Sequence, residues 1–246
     1  MVFDSLRLFI KPIWNAYHFF CLYANLDGIK ARYDISSSNI LDRYILSKLK
    51  IVVGRIENSM DQFDTVEAYA AITDFFEVLN NWYIRRSRSR FWKTQQDADK
   101  LSAYNTPFTC LEIMMRAMSS LLPLISENIY RSLTSGTSVH LEDFPNVDSI
   151  KIEENLVKAM DQVLDICNAA LFIRSEENIR IRQPLSKLVI HLDRVDDGTY
   201  DNYIKHFEDL IKDEVNVKSI IYQEDVKGYA DLKLSINFPL LGKRLS

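Results

Sequence analysis

The sequence is short of glycine and proline, with six of each in 246 residues. That scarcity argues against a turn-rich all-β fold and for long helices. The glycines are isolated, so a Gly-rich phosphate loop is missing, as are Gly-x-Ser-x-Gly, His-Glu-x-x-His and any paired-carboxylate constellation. An active site contained in this chain therefore has no support. Cysteines are few and odd in number. Cys21, Cys110 and Cys167 lie far apart in apolar contexts, without a Cys-x-x-Cys pair or a histidine at metal spacing. They read as buried free thiols in a reducing, cytoplasmic compartment, not as a disulfide framework or a zinc site. No apolar run approaches the ~18 residues of a membrane span, and Arg7 and Lys11 interrupt the first apolar stretch, so it does not read as a signal peptide. The four histidines, His18, His140, His191 and His206, have no partner at a telling spacing and are expected to be structural.

What is present is a soluble, globular composition, 47% hydrophobic and 26% charged, with a net charge of −4. A polyanion could be bound only through a local basic patch. One stretch qualifies. Residues 80–93, Asn80-Asn81-Trp82-Tyr83-Ile84-Arg85-Arg86-Ser87-Arg88-Ser89-Arg90-Phe91-Trp92-Lys93, hold five cations and four aromatic rings and no acid. Cations beside flat rings suit nucleic acid. They equally suit a helix end whose arginines pair with acids on neighbouring helices.

Apolar residues recur at helical spacing over residues 3–24 and from an Asn39 N-cap to 63. A third helix is capped at Asp64, with Glu67 near a capping-box position. A fourth runs over 98–133, with an interruption expected near Pro107 and a kink at Pro123, and a fifth covers 155–177. The period then changes. Residues 188–192, 217–222 and 231–237 are β-like and 200–212 helical, a β-α-β-β unit. The fold class is mostly α, a helical bundle followed by a small α/β unit.

Steps of ~100° around the third helix continue the stripe of Ile72, Phe76, Leu79 and Tyr83 onto Arg86 and Arg90, expected on the core side with structural roles alongside Trp82. The opposite line, Asn81, Arg85, Arg88 and Trp92, faces outward and supplies the candidate binding residues. Arg85 and Arg88 suit phosphate, and Trp92 or Asn81 a base or sugar. A second basic cluster, Arg174, Arg180 and Arg182, reads as an inter-domain contact more readily than as a ligand site.

Four segments, in order, resemble the C-terminal part of the isoleucyl-tRNA synthetases, a class I aminoacyl-tRNA synthetase family. They are Ile13-Trp14-Asn15-Ala16-Tyr17 with Tyr23-Ala24-Asn25, then Leu41-Asp42-Arg43-Tyr44-Ile45-Leu46-Ser47, then Asn81 to Trp92, then Ser138-Val139-His140-Leu141-Glu142-Asp143-Phe144-Pro145. Ile181-Arg182-Gln183-Pro184-Leu185 and Asn237-Phe238-Pro239-Leu240-Leu241-Gly242 fit the longer, eukaryote-like type. The resemblance implies an antiparallel helical bundle that binds the anticodon stem-loop of tRNA(Ile) over 1–145. It further implies a long helix and connector over 146–185 and a truncated α/β domain over 186–246. The family's His-x-Gly-His and Lys-Met-Ser-Lys-Ser signatures and its editing domain are missing. The chain is accordingly expected to be an inactive piece of an isoleucine–tRNA ligase. It is expected to carry no cofactor or metal, ATP and any zinc belonging to missing parts of the parent. Its expected partners are tRNA(Ile) and the parent's catalytic domain, and it is expected to be monomeric and without a membrane. Two other readings remain open at this point, a stand-alone or trans-acting tRNA-binding subunit and a helical protein-docking scaffold.

Overall fold

The computed structural model describes residues 6–191 and 204–223. It divides into two units, residues 1–160 and 161–246, the division falling inside a single helix.

The first unit is helical. A π-helical turn, Leu6–Ile10, leads into α1, Lys11–Asp27. Helix α1 ends at Gly28, whose φ of 63° is the left-handed conformation that glycine adopts without a Cβ clash. Helix α2, Ile40–Asp61, starts at Asn39, whose side chain accepts a hydrogen bond from the Leu41 amide at 2.9 Å. Helix α3, Thr65–Val78, is capped by Asp64, which accepts from the Glu67 amide at 3.0 Å. It runs on through a π-helical turn, Leu79–Ile84, into α4, Arg85–Phe91. Helices α5, Ala98–Ala117, and α6, Pro123–Thr134, come next, with a 3₁₀ turn at Val139–Leu141. Helix α2 packs on α3 and α5, α1 on α3, α5 and the second π turn, and α6 on α5. Their apolar stripes close one core that includes Ile13, Phe20, Ile45, Leu49, Ile56, Ile72, Phe76, Tyr104 and Met114.

Two proline expectations are corrected. Pro107 lies buried inside α5, which continues unbroken to Ala117. Packing on both sides outweighs the one hydrogen bond that proline forfeits. Pro123 does not kink a long helix. It occupies the first turn of α6, where its missing N–H would have had no helical partner, and α5 has already ended at Ala117.

The division between units falls within α7, Glu154–Glu176. In the second unit α7 is followed by strand β1, Leu188–His191, helix α8, Glu208–Val215, and strand β2, Ile220–Gln223. The two strands pair in parallel, Leu188 opposite Ile220 and Ile190 opposite Tyr222. Parallel neighbours need a crossover connection, and α8 lies within it. The expected strand at 231–237 falls outside the described residues. Arg174 is buried at the end of α7. Its Nη2 donates to the carbonyl oxygens of Arg180 (2.9 Å), Ile181 (3.3 Å) and Gln183, so it fastens the turn before β1. Arg180 and Arg182 are exposed on that turn.

Candidate nucleic-acid interface

The basic stretch occupies the second π turn, α4 and the residues just beyond. Its side chains separate into an inner and an outer set. A π turn packs more residues into each turn than an α-helix does, and here three consecutive side chains, Trp82, Tyr83 and Ile84, are all buried. The turn also shifts the phase of α4. Ser87, Arg90 and Phe91 face the core, and Arg86 is half-buried beside them.

Arg90, 6% exposed, is the centre of the inner set. Its Nη1 and Nη2 donate to the two carboxylate oxygens of Asp42 at 2.6 and 2.8 Å, and its Nε donates to Asp99 at 2.9 Å. Asp42 is fully buried and also accepts from the Tyr83 hydroxyl at 2.7 Å and the Ser37 hydroxyl at 2.6 Å. A buried ion pair is stable only when its remaining hydrogen-bonding capacity is satisfied, as here. Burial works against the Arg90 charge, yet the hydrogen bonds and charge of Asp42 more than compensate and push its pKa up. Burial, and then the Asp42 charge, raise the Tyr83 phenol well above its ordinary range, so it remains a donor.

A second buried cation links the neighbouring elements. Lys100, 2% exposed on α5, places Nζ 2.8 Å from Asp27 at the end of α1 and 2.5 Å from the Lys93 carbonyl oxygen just past α4. Gln96 donates to the Asp27 carbonyl oxygen at 3.1 Å. The end of the basic stretch is thereby tied to the end of α1.

The outer set is Asn81, Arg85, Arg88 and Trp92, all exposed, Trp92 by 60%. Three of them, Asn81, Arg88 and Trp92, line one groove of about 870 Å³. Arg85 is exposed on the same helix but does not line it. The facing wall is α1 with its preceding turn, contributing Arg7, Pro12, Asn15, His18, Phe19, Leu22 and Tyr23. Helix α3 and the π turn complete the groove with Thr73, Glu77 and Asn80. The groove thus has cations at Arg7 and Arg88, rings at Phe19, Tyr23 and Trp92, and amides between them. Phosphates suit the first, bases the second and third.

Sequence reasoning missed the α1 wall. His18, expected to be structural, is exposed and lines the groove. A signal was available, since Asn15, His18 and Leu22 share the same i, i+3, i+7 spacing opposite the buried Ile13, Ala16 and Phe20.

A family model described as the anticodon-binding domain of tRNA ligase matches residues 42–190, more than half of the chain. The chain belongs to the anticodon-binding domain family of tRNA ligases. The family match takes in the basic stretch, the buried Asp42–Arg90 pair and the α3 side of the groove. Over its whole length the chain is 58% identical to the isoleucine–tRNA ligase of Rickettsia bellii strain OSU 85-389, 54% to that of Rickettsia felis and 53% to that of Rickettsia prowazekii. It spans about a quarter of the length of these curated relatives, 24% or 25% of each. Among the described residues no helix is long and apolar enough to cross a membrane.

Proposed function

We propose that this anticodon-binding unit holds the anticodon stem-loop of tRNA(Ile) as part of an isoleucine–tRNA ligase. The supporting observation is the convergence of Asn81, Arg88 and Trp92 with Arg7, Asn15 and His18 on one groove, within a chain of the anticodon-binding family. Arg88, with Arg85 beside the groove, binds phosphate. Trp92 stacks on an unpaired base, and Asn81 bonds a base edge or ribose. The unit performs no bond chemistry and takes no cofactor of its own. It positions the tRNA so that the acceptor end reaches a catalytic domain, where ATP drives the joining of isoleucine. In this role it works in the cytoplasm as a monomer.

The test is a filter-binding titration of tRNA(Ile) against salt, with Arg85→Ala and Arg88→Ala combined. Each lost phosphate contact lowers the slope of log affinity against log salt by about 0.7 to 0.9. Unchanged affinity together with an unchanged slope sinks the assignment. Competition by a generic polyanion as effective as tRNA(Ile) sinks the tRNA reading itself.

A further inference from the structure

The second unit gathers cations at one end. Residues 174–187 and 216–219 hold Arg174, Arg180, Arg182, Lys187 and Lys218 against two acids, Glu176 and Glu177, in a chain whose net charge is −4. Strands β1 and β2 are parallel, so both start at the same end, and the residues leading into them are laced together. The Leu185 amide donates to the Asn216 carbonyl oxygen at 3.1 Å, and the Lys218 amide to the Leu185 carbonyl oxygen at 3.0 Å. The Ser219 hydroxyl donates to the Ser186 carbonyl oxygen at 3.0 Å, and Asn216 Nδ2 to the Ile181 carbonyl oxygen at 2.8 Å.

This end offers donors to solvent and keeps acceptors inside. Arg174 Nη2 occupies the carbonyl oxygens of Arg180, Ile181 and Gln183, which would otherwise repel an anion. Arg180, Arg182, Lys187 and Lys218 are exposed, and the side chain of none makes a hydrogen bond or ion pair among the described residues. The turn closes through the Gln183 amide on the Arg180 carbonyl oxygen at 2.9 Å, and the amides of Ile181 and Arg182 within it donate no backbone hydrogen bond among the described residues. Beneath the turn lies Arg174, 3% exposed. Its Nε and Nη1 are buried without a hydrogen-bond partner, and it makes no ion pair among the described residues. Arg90 in the first unit is matched by Asp42 and Asp99. Arg174 has no such match, and a buried charge is screened less than an exposed one, so it adds to the positive field over the turn.

We infer that this end of the second unit is a phosphate site that binds the sugar-phosphate backbone of tRNA, with Arg180 and Arg182 as its principal contacts and Lys187 and Lys218 beside them. The inference rests on the tRNA-binding reading and extends it to residues of the second unit. Unpaired cations with free amides and no competing acceptor suit phosphate oxygens. Residues 174–187 and 216–219 contain no aromatic ring, so nothing there stacks on a base. The site therefore adds affinity and no sequence preference. A free phosphate ion shares the same chemistry, and the experiment separates the two sources.

The experiment titrates the 246-residue chain with a tRNA(Ile) transcript over a salt series, with Arg180→Ala and Arg182→Ala combined. Neither side chain bonds anything among the described residues, so their removal leaves the fold in place. The slope of log affinity against log salt is expected to fall by about 1.4 to 1.8, two phosphate contacts at about 0.7 to 0.9 each. Combination with Arg85→Ala and Arg88→Ala is expected to add the two losses. A slope and affinity unchanged by the Arg180 and Arg182 pair, while the Arg85 and Arg88 pair lowers them, overturns this inference and leaves the tRNA reading intact. In a second arm inorganic phosphate is titrated at fixed ionic strength and followed by the amide NMR signals of residues 180–183. Shifts that the double variant abolishes, with the tRNA slope unaltered, assign the site to a free anion and overturn the backbone assignment. Failure of the unmodified chain to bind tRNA(Ile) better than a generic polyanion removes the tRNA reading and this inference together.

Discussion

Arg88 and Arg90 sit two residues apart on α4 and do opposite things. Arg90 is buried, gives three hydrogen bonds to the carboxylates of Asp42 and Asp99, and belongs to the core. Arg88 is exposed and lines the groove. A count of positive charge treats them alike, yet only one reaches the groove. The Asp42 pair anchors the end of α4, the helix that carries Arg88 and leads into Trp92. The sharpest way to break this contrast is Arg90→Ala. It leaves Asp42, which is fully buried, without its cation, and removing one partner of a buried pair costs about 3–5 kcal/mol. Urea denaturation measures it as a fall in the midpoint. A loss below about 1 kcal/mol, the range of exposed ion pairs, would place Arg90 with the surface charges and dissolve the contrast.

The reciprocal change is Trp92→Ala. Trp92 is 60% exposed, so its removal should alter stability by no more than about 0.5 kcal/mol. Loss of base stacking should weaken tRNA(Ile) binding by about 1–3 kcal/mol. The same filter-binding titration reads the affinity, and its salt slope should stay put, since an indole neutralises no phosphate. Stability that falls as far as affinity would make Trp92 a packing residue.

The inner and outer sets were unequally legible in the sequence. Caps at Asn39 and Asp64 are local chemistry, and each stands where the residues put it. The family was legible too, because the run from Asn81 to Trp92 and the flanking segments carry it. The consequences of Pro107 and Pro123 were not, because proline's effect depends on its distance from a helix start and on tertiary packing. The π turn was invisible to a fixed 100° step. For that reason the wheel puts Arg86 on the core side, where the structure buries Ser87 and leaves Arg86 half-buried. The groove needed two helices to meet. Periodicity can show that Asn15 and His18 share a face of α1, but not that this face looks at α4.

The Asp27–Lys100 pair lies between the two sets, with Lys100 2% exposed and the Asp27 side chain 23% exposed. It tests how far the contrast is graded. The hydrogen bond from Lys100, and after it the one from Tyr104, hold the Asp27 carboxyl below its ordinary value of 3.8. A carboxylate with a depressed pKa in the folded state stabilises the fold above its unfolded value. That contribution is lost as pH falls through the depressed folded value. Asp27→Asn should therefore cost stability at pH 7, by a few tenths to about 1 kcal/mol because the site is partly solvated. The deficit should shrink as pH drops below about 4, where the unmodified chain loses the same interaction. Tyr104 can still donate to the new amide oxygen, so the difference isolates the charge contact with Lys100. Denaturation midpoints of the two proteins from pH 7 to pH 3 measure it. Converging curves place the pair between Arg90 and the exposed cations. A constant offset across that range would show that the carboxylate acts through shape alone, and that the link from α1 to the end of the basic stretch does not depend on charge.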